Sequence, residues 1–142
     1  MHATQLHSND LHRVFKRAGL VLTPHRHAVL HALAQAGPIS IAGLRRALGS
    51  GSPHRVTLYR VVEQLEAAGL VKRLRFRHED EDRFELGETL HRHHHHLVCE
   101  SCGLTRGVLA EPARPKLPRG FKLLGHQLEF YGLCASCRRS AA

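Results

Sequence analysis

Hydrophobic and polar positions follow two rhythms along this chain. Up to about residue 70 the apolar residues recur every three or four positions, the spacing of one helix face. A first helix is expected from Asp10 through Val14, Phe15 and Ala18, stopped by Gly19. Thr23 and Pro24 read as an N-cap with proline at the first helical position. They open a second helix with the stripe Val29, Leu30 and Leu33 and its stop at Gly37. Ser40 caps a short third helix with Ile41, Leu44 and Leu48 inward and Gly49 behind it. A fourth runs from Ser52 and Pro53 to Gly69. It carries Leu58, Val61, Val62 and Leu65 on one face and Thr57, Arg60 and Gln64 on the other, with Tyr59 at the margin.

The period then changes to alternation. Residues 71–77 place Leu74 and Phe76 inward and Arg73, Arg75 and Arg77 outward; the acidic stretch 78–82 is the turn and residues 83–86 return. Short helices followed by a hairpin are the order of a winged helix-turn-helix, although the pattern alone also admits an unspecialised helical domain with a hairpin. Residues 87–92 read as a hinge. In residues 93–99 a strand puts His94, His96 and Val98 on one face and His93, His95 and Leu97 on the other. Cys102 and Gly103 turn the chain into a second strand over 104–110. A Pro-rich link (111–118) leads to an extended segment over 121–134, and the tail 138–142 is expected to be disordered. The expected fold is α+β: an N-terminal winged-helix domain (1–86), a hinge (87–92) and a small C-terminal domain (93–142).

With 142 residues shared between two such halves, neither has room for a large core. No apolar run approaches the roughly 20 residues that cross a bilayer, and the first residues lack the apolar stretch of a secretory signal, so the cytoplasm is the expected location. The formal charge is +9, from 21 Lys and Arg against 12 Asp and Glu, and Arg carries nearly all of the excess. This suits a polyanion, because the planar guanidinium bonds phosphates and guanine edges bidentately; an ordinary arginine-rich solvated surface reads the same way.

Cysteine and histidine sharpen the picture. All four cysteines fall into two pairs, Cys99/Cys102 and Cys134/Cys137. Each Cys-x-x-Cys forms a tight knuckle aiming two thiolates at one point, and two knuckles complete a closed tetrahedral shell for a structural Zn2+. The other reading of the spacing is a redox pair or unligated thiols. Of 14 histidines, His93, His94, His95 and His96 are consecutive. Because alternate strand residues face opposite ways, His94 and His96 can supply half of one metal site and His93 and His95 half of another; a solvated histidine tract is the plain alternative. On the fourth helix Arg55, Thr57, Tyr59 and Arg60 are candidates for base and phosphate contact, with Arg73, Arg75 and Arg77 on the wing for the DNA backbone.

Together these residues resemble the ferric uptake regulator (Fur) superfamily, from about Leu11 to Cys137. The resemblance is carried by Ala18-Gly19-Leu20 and Leu22-Thr23-Pro24-His25-Arg26 and by Val56-Thr57-Leu58-Tyr59-Arg60-Val61-Val62 with Gly69-Leu70. It continues in Arg83-Phe84-Glu85-Leu86, the run 93–103, His126 with residues 128–132, and the final Cys-x-x-Cys. It implies a homodimeric metal-sensing repressor with an N-terminal winged-helix DNA-binding domain, whose recognition helix carries Tyr59 and Arg60, and a C-terminal α/β metal-binding dimerisation domain (93–142). Such a repressor binds palindromic operators on double-stranded DNA when metal is present. It also implies that Cys99, Cys102, Cys134 and Cys137 hold structural zinc and that Glu85, His94 and His96 form a regulatory hinge site. His93, His95 and His126, with Glu111 as carboxylate, would form an additional site.

The chain departs from the family at several places. Pro38 stands where many members have a hinge histidine, so His78 is the preferred substitute, ahead of Glu79, Asp80 and Asp82. Zinc sensors often have a hinge Cys and an Asp where Gly87 and Lys72 stand here, Gly107 replaces an acidic residue, and Val21 a basic one.

The leading expectation is therefore a metal-responsive repressor. Metal at the hinge favours a closed state by about 5 kcal/mol and so fixes the spacing of two recognition helices. The all-histidine run leans toward regulatory Zn2+ and the zinc-uptake (Zur) branch, while Glu85 keeps Mn2+, Fe2+ and peroxide sensing open. Two other classes stand against it. A zinc hydrolase lacks its usual His-Glu-x-x-His pair here, and a metal-storage protein would bind many ions loosely without sequence-selective DNA binding.

Overall fold

The structure, a computed structural model, describes residues 5–109 and 114–141. The chain divides into two compact units, Met1–Arg92 and His93–Ala142. In the first unit the order is α1 (Ser8–Arg17), α2 (Pro24–Ala36), α3 (Ile41–Leu48), a 3-10 turn (Gly49–Gly51), α4 (Arg55–Ala67), β1 (Val71–Leu74) and β2 (Arg83–Leu86).

Local chemistry sets most of these boundaries. The Thr23 hydroxyl accepts from the Arg26 N–H at 3.3 Å and that of Ser40 from the Gly43 N–H at 3.2 Å, so both expected caps satisfy an orphan donor of their helix. The fourth helix starts later than the Ser52-Pro53 signal indicates. The 3-10 turn takes up the glycines, and His54 becomes the N-cap, its Nδ1 accepting from the Val56 N–H at 3.4 Å.

Apolar faces of all four helices meet in one core: Leu11 and Phe15, Val29, Leu30 and Leu33, Ile41 and Leu44, and Leu58, Val61, Val62 and Leu65. The hairpin closes it with Val71, Phe84 and Leu86. β1 and β2 pair antiparallel from Val71↔Leu86 to Leu74↔Arg83, and Ile39 bridges Phe84, so the wing is tied to the segment before α3. The first strand stops at Leu74 rather than Arg77. Beyond the Leu74↔Arg83 pair the chain has no partner strand, and it turns at Arg77 and His78, the latter with φ 66°. Residues 87–92 fold back on the first unit: the Gly87 N–H donates to the Leu70 carbonyl at 2.9 Å, and those of Leu90 and His91 to the Gly87 carbonyl.

The second unit is a three-stranded sheet, β4 (Thr105–Val108), β3 (His95–Cys99) and β5 (Glu129–Gly132), in that spatial order, followed by α5 (Ala135–Ser140). β3 is antiparallel to β4 and parallel to β5, with His96↔Glu129 and Cys99↔Gly132 in register. Three expectations are corrected here. The first strand begins at His95, the long extended segment 121–134 forms ladder bonds only over Glu129–Gly132, and the described part of the tail is helical as far as Ser140 rather than disordered. The helix arises because the second Cys-x-x-Cys knuckle already curls the backbone: the Arg138 N–H donates to the Cys134 carbonyl at 2.9 Å. Among the described residues no helix is long and apolar enough to cross a membrane.

Candidate metal centres and nucleic-acid interface

Strand register builds the cysteine site. Cys99 ends β3, Gly132 lies beside it on β5, and Cys134 follows two residues later, so the parallel pairing delivers one knuckle to the other. The four Sγ atoms lie within 4.8 Å of one another, and Cys102 and Cys134 are 3.8 Å apart. A zinc ion at about 2.3 Å from each sulfur of a tetrahedron sets the sulfurs about 3.8 Å apart, whereas a disulfide needs about 2.05 Å.

The surroundings favour anionic sulfur. The Cys134 N–H donates to Cys99 Sγ at 3.3 Å and, with that of Cys102, pulls the Cys99 thiol down to about 6. The Cys137 N–H lowers Cys134 in the same way. Cys137 shows the cost of crowding: a hydrogen bond from Ser101 pulls it down, but the Cys134 and Cys102 sulfurs outweigh that and push it up to about 12. Four thiolates share this space only if a cation neutralises them, and the donor set and spacing fit Zn2+.

The same register explains the imidazole cluster. Continued three residues back from His96↔Glu129, it sets His126 opposite His93, and their Nε2 atoms are 3.2 Å apart. His95 completes the group, its ring 5.0 Å from that of His93 and 5.4 Å from that of His126. The three donor atoms lie within 4.8 Å of one another. His95 is buried and its Nε2 has no hydrogen-bond partner. Burial first, then the imidazoles of His93 and His126, holds its pKa below the usual histidine value, which favours the neutral ring that a metal ion requires of a histidine ligand. A buried ring nitrogen without a partner, beside two further imidazoles, is a position that a metal ion satisfies. Glu111 lies outside the described residues.

His94 and His96 pack together on the other side of the strand, ring centroids 4.8 Å apart. Gly107 explains why: it is paired with His96, and a Cβ there would come within 3.0 Å of the His94 ring. Sequence reasoning registered Gly107 only as a missing carboxylate, whereas its lack of a side chain leaves space for an imidazole.

In the first unit Glu85 lies on β2 opposite Lys72. His78 is exposed in the turn beyond the Leu74↔Arg83 pair, so the hairpin holds it away from Glu85. At Gly87 a Cβ would sit 2.2 Å from the Gly69 carbonyl oxygen, so this backbone admits no cysteine ligand there.

α4 presents Arg55, Thr57, Tyr59 and Arg60 to solvent and buries Leu58, Val61, Val62 and Leu65. The Arg55 guanidinium lies 5.7 Å over the Tyr59 ring, and the hydrogen bond to the Tyr59 hydroxyl raises its pKa further. One contact was not foreseen: Arg26 donates to the Val21 carbonyl at 2.5 Å and to Gln64 Oε1 at 2.7 Å, which anchors α2 to the outer face of α4. The wing arginines are engaged within the protein. Arg73 binds Glu66 on α4 at 2.8 Å and Asp82 at 3.1 Å, and Arg75 binds Asp82 at 2.8 Å.

The sequence profile of the Ferric uptake regulator family matches residues 17–131. A ferric uptake regulation protein of Legionella pneumophila is 36% identical over 132 residues, covering 87% of this chain and 95% of its own length. Among solved structures, the Helicobacter pylori ferric uptake regulator, described as having three functional metal-binding sites, aligns with a TM-score of 0.71 at 19% identity over 97% of both chains. A zinc uptake regulator complexed with zinc and DNA aligns at 0.60 and 23% identity over 94% of this chain and 93% of its own. The chain therefore belongs to the ferric uptake regulator family, metal-dependent DNA-binding transcription regulators rather than enzymes.

Proposed function

We propose that this protein is a zinc-responsive repressor that binds a palindromic operator as a homodimer in the cytoplasm and controls metal-homeostasis genes. The observation that carries the choice of ion is the all-imidazole run: His94 and His96 of the regulatory group pack with ring centroids 4.8 Å apart, and His93, His95 and His126 form a second nitrogen-rich group as an additional site. Even with Glu111 added as its proposed carboxylate, three of four donors are neutral imidazoles, which suit Zn2+ better than Mn2+ or Fe2+. Gly107, standing where the family usually has an acid, removes one more hard oxygen ligand. The reading assigns structural zinc to Cys99, Cys102, Cys134 and Cys137 and the regulatory ion to Glu85, His94 and His96. His78, on the far part of the hairpin, is set aside.

When bound at the regulatory site, the metal supplies a cross-link between the winged-helix unit (1–86), through the hinge (87–92), and the metal-binding unit (93–142). The chain's own residues do the rest. Arg55, Thr57, Tyr59 and Arg60 face outward on α4 and enter the major groove, supported by the zinc uptake regulator solved with DNA. Arg73, Arg75 and Arg77 contact the sugar-phosphate backbone when they exchange their protein partners, Glu66 and Asp82 among them, for phosphate. Leu97, Phe130 and Leu133 line an apolar hollow of about 280 Å³ on the second unit, a surface suited to a second copy.

A second reading, an iron- or manganese-responsive or peroxide-sensing regulator, is favoured by the Glu85 carboxylate and by the naming of the Legionella relative. Operator binding by protein stripped of its sensing metal and reloaded with Zn2+, Mn2+ or Fe2+ separates the two. Zinc should restore binding at the lowest free concentration. Equal affinity with and without metal refutes the switch, and restoration by Fe2+ or Mn2+ alone moves the protein to the second reading.

A further inference from the structure

We propose that His27 and His31 on α2 form an additional binding site for a nitrogen-seeking divalent ion, with Cu2+ held most tightly and Ni2+ and Zn2+ less so. Neither residue belongs to a donor group assigned above, and the proposal does not depend on the regulatory reading. The two are four positions apart, so one face of the helix carries both imidazoles. Their rings are stacked, 13° from parallel with centroids 6.4 Å apart. Both are exposed, and among the described residues neither ring has a hydrogen-bond partner.

Two features make this more than a pair of surface histidines. The backbone beneath them is fixed, because α2 buries Val29, Leu30 and Leu33 on its other side. The rings also border a hollow formed with Ala28, Ala32, Gln35 and, from α3, Leu48. No Lys or Arg lines that hollow in a protein of net charge +9, so no cation competes there with the ion. Side-chain rotation alone brings two nitrogens to about 2.0–2.1 Å from one ion, leaving further positions to water or the Gln35 carbonyl. Neutral imidazole donors give the order of affinity stated, rising to Cu2+ and falling at Zn2+. Because chelation across a helical turn exists only in the folded helix, the bound ion stabilises the first unit by mass action.

The test uses the full chain with its other sites loaded with zinc. On addition of Cu2+, paramagnetic broadening should strike the His27 and His31 ring resonances together. In equilibrium dialysis the double variant His27→Gln/His31→Gln should bind one ion fewer than the parent. Either single change should weaken that ion roughly tenfold or more by removing one of two donors. His25→Gln, two positions before His27 and so about 200° round the helix from it, should leave the count unchanged. The proposal falls if both rings stay sharp while copper binds elsewhere, if the double variant binds as many ions as the parent, or if His25→Gln abolishes the same ion. Operator binding, measured alongside, reads the regulatory proposal separately.

Discussion

The two units solve the same problem with different materials. The first buries leucine, valine, isoleucine and phenylalanine from four helices and a hairpin in one apolar core. In the second, the buried apolar side chains among the described residues are Val98 and Cys99, and the imidazoles of His95 and His96 are buried with them. A sheet of three short strands with so little hydrophobic burial has a small driving force of its own. Its sulfur and nitrogen atoms stand where the first unit has methyl groups, and they stabilise only when an ion joins them. The comparison teaches that the first unit is a scaffold at any metal level, whereas the second is built when metal is present.

The largest expected effect follows directly. Cys134→Ser, or removal of zinc by a strong chelator, should unfold the second unit, since structural zinc contributes on the order of 10–16 kcal/mol of apparent binding energy in small zinc domains. Hydrogen exchange should then show protection lost across β3, β4 and β5 and kept in α2 and α4. If β3 to β5 stay protected in metal-free protein, the second unit has a core of its own and the contrast between the units is wrong.

The same contrast explains what could be read before any coordinates. In the first unit local signals agree with the tertiary solution: Thr23 and Ser40 cap the helices they were expected to cap, and the stripe Leu58, Val61, Val62 and Leu65 is buried. In the second unit the decisive interaction is a parallel pairing between segments about thirty residues apart, which no local period encodes. Alternation placed His93 and His95 opposite His94 and His96, and knuckle spacing grouped the cysteines. His126, by contrast, needed the family motif, because its partner is fixed only by the β3–β5 register. α5 was hidden for a related reason: it grows from a cysteine knuckle rather than from an amphipathic pattern. On the wing the pattern turned Arg73 outward correctly but could not show that Glu66, seven residues earlier on a helix, would meet it.

A smaller change sharpens the claim that the second unit answers to its donors. Gly107→Ala adds one carbon 3.0 Å from the His94 ring and leaves the cysteine knuckles untouched. His94 must give way by a few tenths of an ångström, an overpacking cost of about 1 kcal/mol. The free zinc needed for half-maximal operator binding should rise several-fold, with the tightly held zinc unchanged. If zinc sensitivity is unaltered, His94 is either not a ligand or held loosely enough that its position does not matter.

The smallest effect lies on the first unit, where the contrast predicts that a polar change alters function without touching the core. Asp82 holds Arg75 at 2.8 Å and Arg73 at 3.1 Å, and Arg75 first, then Arg73, keeps its carboxyl below the usual range. A lowered folded pKa means that the pairing is fully present at neutral pH and is lost only as acid takes the pH below about 4 and through the folded value. At neutral pH, then, the acidic turn competes with DNA phosphates for the wing arginines. Asp82→Asn removes that competitor. Affinity for non-operator duplex should rise modestly, and the slope of log affinity against log salt should steepen by about one unit, the signature of one more phosphate contact. Preference for the operator over random sequence should stay the same, because base edges are read by α4. An unchanged salt slope would mean that Arg75 never reaches phosphate, and that the acidic turn holds the wing in shape without restraining its charge.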